Sequence, residues 1–96
     1  MAQRRQRNRE LLYEYLLSHP CVDCGERDPI VLDFDHLRDK KYRVANIVAT
    51  GCSWERIVLE IEKCAVRCAN CHRRKTAKDL NYFKYRKSTT QSNLGL

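Results

Sequence analysis

No stretch of this chain is both apolar enough and long enough to cross a bilayer, and the basic, polar opening MAQRRQRNRE leads into no hydrophobic signal segment. A membrane-spanning or secreted protein is therefore not expected, and a cytoplasmic, reducing compartment is. Acidic residues are absent from residues 1–9, which hold four arginines, and nearly absent from residues 63–87, where nine basic residues accompany the single Asp79. Internal repeats are missing too, apart from two CxxC units. What remains is a net charge of +7 arranged as two basic flanks around residues 10–62, which hold eleven acids and six bases. That arrangement suits a protein that grips a polyanion and keeps carboxylates for metal work; a solvated charged surface is the plainer alternative.

Ninety-six residues suit one domain, but a single small core is marginal without added cross-links. Six cysteines supply candidates, and in a reducing compartment paired cysteines favour metal over disulfide. Cys21-x-x-Cys24 and Cys68-x-x-Cys71 are separated by 43 residues. Each CxxC turn brings two thiolates to one edge of a tetrahedron, and two such turns complete a closed four-cysteine site for structural zinc. Two disulfides or unbound thiols are the alternative. Cys64 precedes Cys68 by one helical turn and could compete as a ligand, but for Cys52 and Cys64 the expected role is that of small buried hydrophobes.

Between and around these turns the pattern predicts a small α+β fold. Residues 4–18 read as a helix with Leu11, Leu12, Tyr15 and Leu16 on its apolar side, ended by His19-Pro20, where His19 is expected to cap or face solvent. Ile30 to Asp35 alternates as a strand, with Ile30, Leu32 and Phe34 toward the core and Asp33 and Asp35 on the opposite face. Tyr42 to Thr50 suggests a second strand passing into a short helix stopped near Gly51. Ser53 is the expected N-cap of an amphipathic helix reaching Lys63, with Trp54, Ile57, Val58 and Ile61 on the stripe and Glu55, Glu60 and Glu62 off it. A last helix is expected from about Asn70 to Phe83, its end carrying Tyr82, Phe83 and Tyr85, which are expected to pack on the core rather than stack on bases. Residues 88–96 read as a disordered tail.

Asp35-His36 at the end of a strand, followed by Cys68-Ala-Asn-Cys71-His72-Arg73-Arg74-Lys75 at the start of a helix, forms an ordered set: CxxC, hydrophobic-Asp-His, then CxxCHxxK. Over residues 21–76 this set resembles the HNH nuclease family, specifically its zinc-containing members with two CxxC knuckles around a ββα-metal core. The resemblance implies a single nuclease domain over residues 1–87, structural zinc on Cys21, Cys24, Cys68 and Cys71, and hydrolysis of DNA to a 5′-phosphate and a 3′-hydroxyl. Such chemistry requires a deprotonated water and charge compensation on the phosphate. By the resemblance His36 is the general base, and Asp35 and His72 hold one divalent ion such as magnesium or manganese, with Asp33 as the alternative carboxylate. His72 directly follows a zinc ligand, so the structural metal would fix a catalytic one. Arg73, Arg74, Lys75 and Lys78 are placed to meet DNA phosphates beside the cut. Sequence specificity is expected to be slight, and similar small chains belong to phage and bacterial genomes.

One position departs from the family pattern. Five residues before the second knuckle the family usually has an asparagine that braces the loop between its strands; this chain has Lys63, which cannot accept a hydrogen bond through its side chain. Asn70 is the candidate replacement, as a metal neighbour or a local cap. Two other functions compete with cleavage: a zinc-stabilised DNA-binding module without activity, and a zinc-stabilised adaptor whose basic flanks meet an acidic protein.

Overall fold

The computed structural model describes residues 2–87, and the expected tail over 88–96 lies outside them. The fold is a small α+β arrangement: α1 (Ala2–Leu17), a 3-10 turn (Pro29–Val31), β1 (Leu32–His36), α2 (Val44–Ala49), α3 (Trp54–Ile61), β2 (Cys64–Cys68) and α4 (Ala69–Asp79). No helix among the described residues is long and apolar enough to cross a membrane.

The two strands pair antiparallel, from Leu32 opposite Cys68 to His36 opposite Cys64. The second strand is therefore Cys64–Cys68 and not a segment near Tyr42, where the chain bends before α2. A five-residue strand wedged between a helix and a CxxC turn has too few residues to display a period of its own. The first strand also starts later than alternation predicts. Asp28 Oδ1 accepts the Ile30 amide at 3.0 Å, the chain winds into the 3-10 turn, and Ile30 is left 89% exposed instead of joining the core.

Two buried clusters form, one on each side of Tyr15 and Phe34. Cys21, Leu32, Val66, Cys68 and Cys71 make up the first; Val44, Ile47, Val48, Ile57 and Ile61 make up the second. Tyr15 and Phe34 touch both, their ring centres 5.9 Å apart. α1 is fixed across the second cluster by Asn8, 1% exposed, whose Nδ2 donates to the Cys52 carbonyl at 2.8 Å. At the other end of α1 the expected cap is present: His19 Nδ1 lies 2.7 Å from the Tyr15 carbonyl and its ring stacks on Tyr15. Cys52 and Cys64 are half-buried against the second cluster and stand apart from the four-cysteine group.

Ser53 occupies the N-cap of α3, though its side chain makes no capping bond, and the helix stops at Ile61 rather than Lys63. Ile57 and Ile61 are buried as the stripe requires, but Glu60 is buried as well, at 4% exposure. Three residues after Ile57, it shares that residue's face of the helix, and three polar partners, Lys41, Lys63 and His36, compensate its burial. α4 ends early. Asn81 takes a left-handed φ of 53°, its amide returning to the Lys78 carbonyl and that of Tyr82 to Ala77, a Schellman stop that asparagine tolerates. A separate helical turn follows over 83–87. Tyr82 and Phe83 are exposed there, contrary to the expected packing, and the Phe83 ring carries Arg86 and Lys87 at 5.9 and 5.4 Å from its centre.

Candidate metal centre and adjoining carboxylate–histidine cluster

The two knuckles meet because β2 holds them together. Gly25, at φ 81°, closes the first turn with its amide on the Cys21 carbonyl, and the Val22 amide donates to Val66 of β2 at 2.9 Å. Cys68 ends β2 and caps α4, its Sγ accepting the Cys71 amide at 3.4 Å. The Sγ atoms of Cys21, Cys24, Cys68 and Cys71 all lie within 4.8 Å of one another, with Cys24 and Cys68 at 3.7 Å. Tetrahedral zinc with Zn–S bonds of about 2.3 Å places its sulfurs about 3.8 Å apart, so the four-cysteine cluster is compatible with structural zinc. All six cysteines are unpaired as disulfides.

Electrostatics of the cluster point the same way. Burial opposes a thiolate at Cys21, yet the backbone amides of Cys68, Cys24 and Asp23 bring its pKa down to about 6. Cys71, hydrogen-bonded to the Cys68 thiol and buried among the others, is pushed up to about 12. The fold's own amides thus favour one negative sulfur, and its neighbours oppose a second. A divalent cation would remove that opposition.

On the far side of Cys71, α4 faces β1. Asp35 is buried rather than open, because three residues cover it: Arg67 Nη1 lies 2.6 Å and Lys75 Nζ 3.3 Å from Oδ2, and His72 Nε2 lies 3.5 Å from Oδ1. His72 Nδ1 is 3.2 Å from Asp33 Oδ2, so the imidazole sits between both carboxylates of the strand. Arg67 also reaches back to Asp23 in the first knuckle, Nε to Oδ2 at 2.8 Å. Sequence reasoning did not foresee Arg67. It stands opposite Asp33 in the strand register, a relation visible only once Cys64–Cys68 is recognised as a strand.

His36, next in the chain after Asp35, has a different neighbour. Its Nε2 lies 2.9 Å from Glu60 Oε2, and among the described residues no hydrogen bond links it to Asp35 or His72. Burial acts to raise the Glu60 carboxyl, but Lys63, the Lys41 amide and His36 outweigh it and hold the group below its ordinary value of 4.5. Lys63 also donates Nζ to the Asp39 carbonyl at 3.0 Å, and its own carbonyl accepts the Leu37 amide at 2.8 Å. The loop after β1 is thus braced by Lys63, its side chain donating and its backbone carbonyl accepting. Asn70 is exposed in the first turn of α4, where its side chain makes no hydrogen bond among the described residues.

Compared with known protein families, with curated proteins and with solved structures, the chain matches none. Its chemistry must speak for itself. Arg73 and Arg74 are exposed on α4 with no acidic partner among the described residues, and Lys78 is exposed in the last turn. Lys75 instead turns inward, between Asp35 and Asp79.

Proposed function

We propose that this chain is a zinc-stabilised, metal-dependent endonuclease of the HNH type that hydrolyses DNA. The observation that carries this reading is the pairing of Asp35 Oδ1 with His72 Nε2, 3.5 Å apart, one residue beyond the four-cysteine cluster. Asp35 and His72 would be the residues that hold a divalent ion such as magnesium or manganese. An ion held there would supply charge compensation on the scissile phosphate. Asp33 orients His72 by accepting from Nδ1, which turns Nε2 toward Asp35. His36 removes the proton from the attacking water as a neutral imidazole. Exposed Arg73 and Arg74 hold neighbouring phosphates without reading bases, and Arg67 and Lys75 fix the position of Asp35 through Oδ2.

A second reading, a DNA-binding module without cleavage, is favoured by the occupation of Asp35 Oδ2 by two cationic side chains. Supercoiled plasmid incubated with the zinc-loaded protein, with and without magnesium or manganese, separates the two. The nuclease is expected to nick or linearise the plasmid only with added metal. His36→Ala is expected to lower the single-turnover rate by roughly two to four orders of magnitude at every metal concentration. His72→Ala is expected to recover in part as metal is raised. Rescue of His36→Ala alone would reverse the two roles, and binding without any cleavage would favour the second reading.

A further inference from the structure

The last turn of α3 carries a buried carboxylate for which the hydrolytic reading has so far named no task. The Glu60 side chain accepts from the Lys41 amide at 3.2 Å on Oε2 and from Lys63 Nζ at 3.2 Å on Oε1, and His36 Nε2 lies 2.9 Å from Oε2. An ionised carboxylate has no proton to give, so the imidazole nitrogen it meets must carry the hydrogen. In a neutral ring this leaves the lone pair on Nδ1. That atom has no hydrogen-bond partner among the described residues, and the side chain keeps 10% of its surface open. One group therefore sets both the tautomer and the orientation of the ring.

We propose that Glu60 is the positioning residue for His36, holding the imidazole with Nε2 protonated so that Nδ1 is the atom that accepts the proton from water. The proposal rests on the nuclease reading above. Glu60 itself touches no reacting atom. Its position is secured by Lys63, whose ammonium spans Glu60 Oε1 and the Asp39 carbonyl, and by the Lys41 amide, so α3 and the loop over 37–41 hold one another in place. A carboxylate on a loop would have several rotamers available; one locked at a helix end by two further donors keeps the ring at a single angle.

Long-range proton–nitrogen NMR of the zinc-loaded chain at mildly alkaline pH reads the tautomer directly. His36 is expected to be protonated at Nε2 alone. In Glu60→Gln the amide oxygen can still accept, so the tautomer is expected to persist; in Glu60→Leu it is expected to become a mixture. Cleavage at saturating DNA is expected to fall roughly 10–100-fold in Glu60→Leu, with DNA affinity unchanged, and to recover most of that loss in Glu60→Gln. Protonation of His36 at Nδ1 in the unsubstituted protein overturns the proposal without any variant. So does a Glu60→Leu protein with unshifted imidazole nitrogens and full rate. Should Glu60→Leu lose its zinc or its cooperative melt, the unsubstituted chain and Glu60→Gln decide the question. A chain fixed at Nε2 that cleaves no DNA fails the hydrolytic reading while leaving the tautomer assignment to Glu60 intact.

Discussion

Replacing Cys68 separates three tasks that meet in one side chain. Cys68 offers one of four clustered sulfurs, closes β2 opposite Leu32, and caps α4 by accepting the Cys71 amide. In Cys68→Ser the hydroxyl can still cap, and only the ligand is lost. Cys24→Ser loses a ligand from an exposed turn that performs neither other task. Cys68→Ala loses ligand and cap together. Structural zinc contributes about 10 kcal/mol or more to folding in small metal-dependent domains, comparable with the roughly 5–15 kcal/mol by which a whole domain is stable. The first buried cluster has little else to fall back on, since three of its five buried members are thiols and only Leu32 and Val66 are aliphatic. All three variants are therefore expected to hold far less than one zinc per chain and to lose most of their thermal transition. The absent cap is expected to cost Cys68→Ala about 1 kcal/mol more, or about 4–8 °C in any transition that survives. Elemental analysis gives the zinc content and far-ultraviolet circular dichroism the melts. A Cys68→Ser chain with full zinc and an unshifted melt refutes the four-sulfur assignment; equal melts for Cys68→Ser and Cys68→Ala refute the capping argument.

In the second cluster, Ile57→Ala empties a fully buried position and is expected to cost about 2–5 kcal/mol, lowering Tm on the order of 10–30 °C while zinc content stays unchanged. Neutralising Arg73 and Arg74 together is expected to reduce the salt dependence of DNA binding by about two phosphate contacts, read as the slope of log affinity against log salt; an unchanged slope would place the DNA surface elsewhere, with Arg5, Arg7 and Arg9 the next to test. Acid unfolding should reveal Glu60. Its carboxyl is held below the ordinary 4.5, so the stability it contributes is present above that pH and lost as pH falls through the depressed value. The gap in stability between unsubstituted protein and Glu60→Gln is therefore expected to start narrowing near pH 4.5 and to close only below the depressed value, any zinc release being common to both; a constant gap would show that the carboxylate is not ionised in the fold.

The residues that were legible in the sequence are those whose chemistry is carried by spacing. Two CxxC turns can bring four sulfurs together regardless of what lies between them, and the cluster forms as expected. α1 and α3 are long enough to display an apolar stripe, and both are present. β2 was hidden because its five residues follow a helix and run into the second knuckle. Missing it also hid Arg67, the residue that bridges Asp23 and Asp35. Glu60 was misplaced for a different reason. It was read as lying off the apolar stripe, although its position beside Ile57 and Ile61 turns it inward, and only the polar partners that the folded chain brings to it make that position tolerable. Asn81 stops α4 through its backbone angle, a preference weaker in sequence than that of glycine.

If the chain is the nuclease proposed, the adjacency of Cys71 and His72 on the first turn of α4 also decides how chelators would inhibit it. That turn is anchored at its start by Cys68 and Cys71, and β1 is tied to the first knuckle through Arg67 and Asp23. Removing zinc from the four sulfurs would slacken the turn that carries His72 and the tether that steadies Asp35. A strong chelator would then abolish cleavage by dismantling the frame, whether or not it reached an ion at the scissile phosphate. The slow step of such inactivation would be release from a closed thiolate cage, and its reversal would demand zinc before magnesium or manganese could restore turnover.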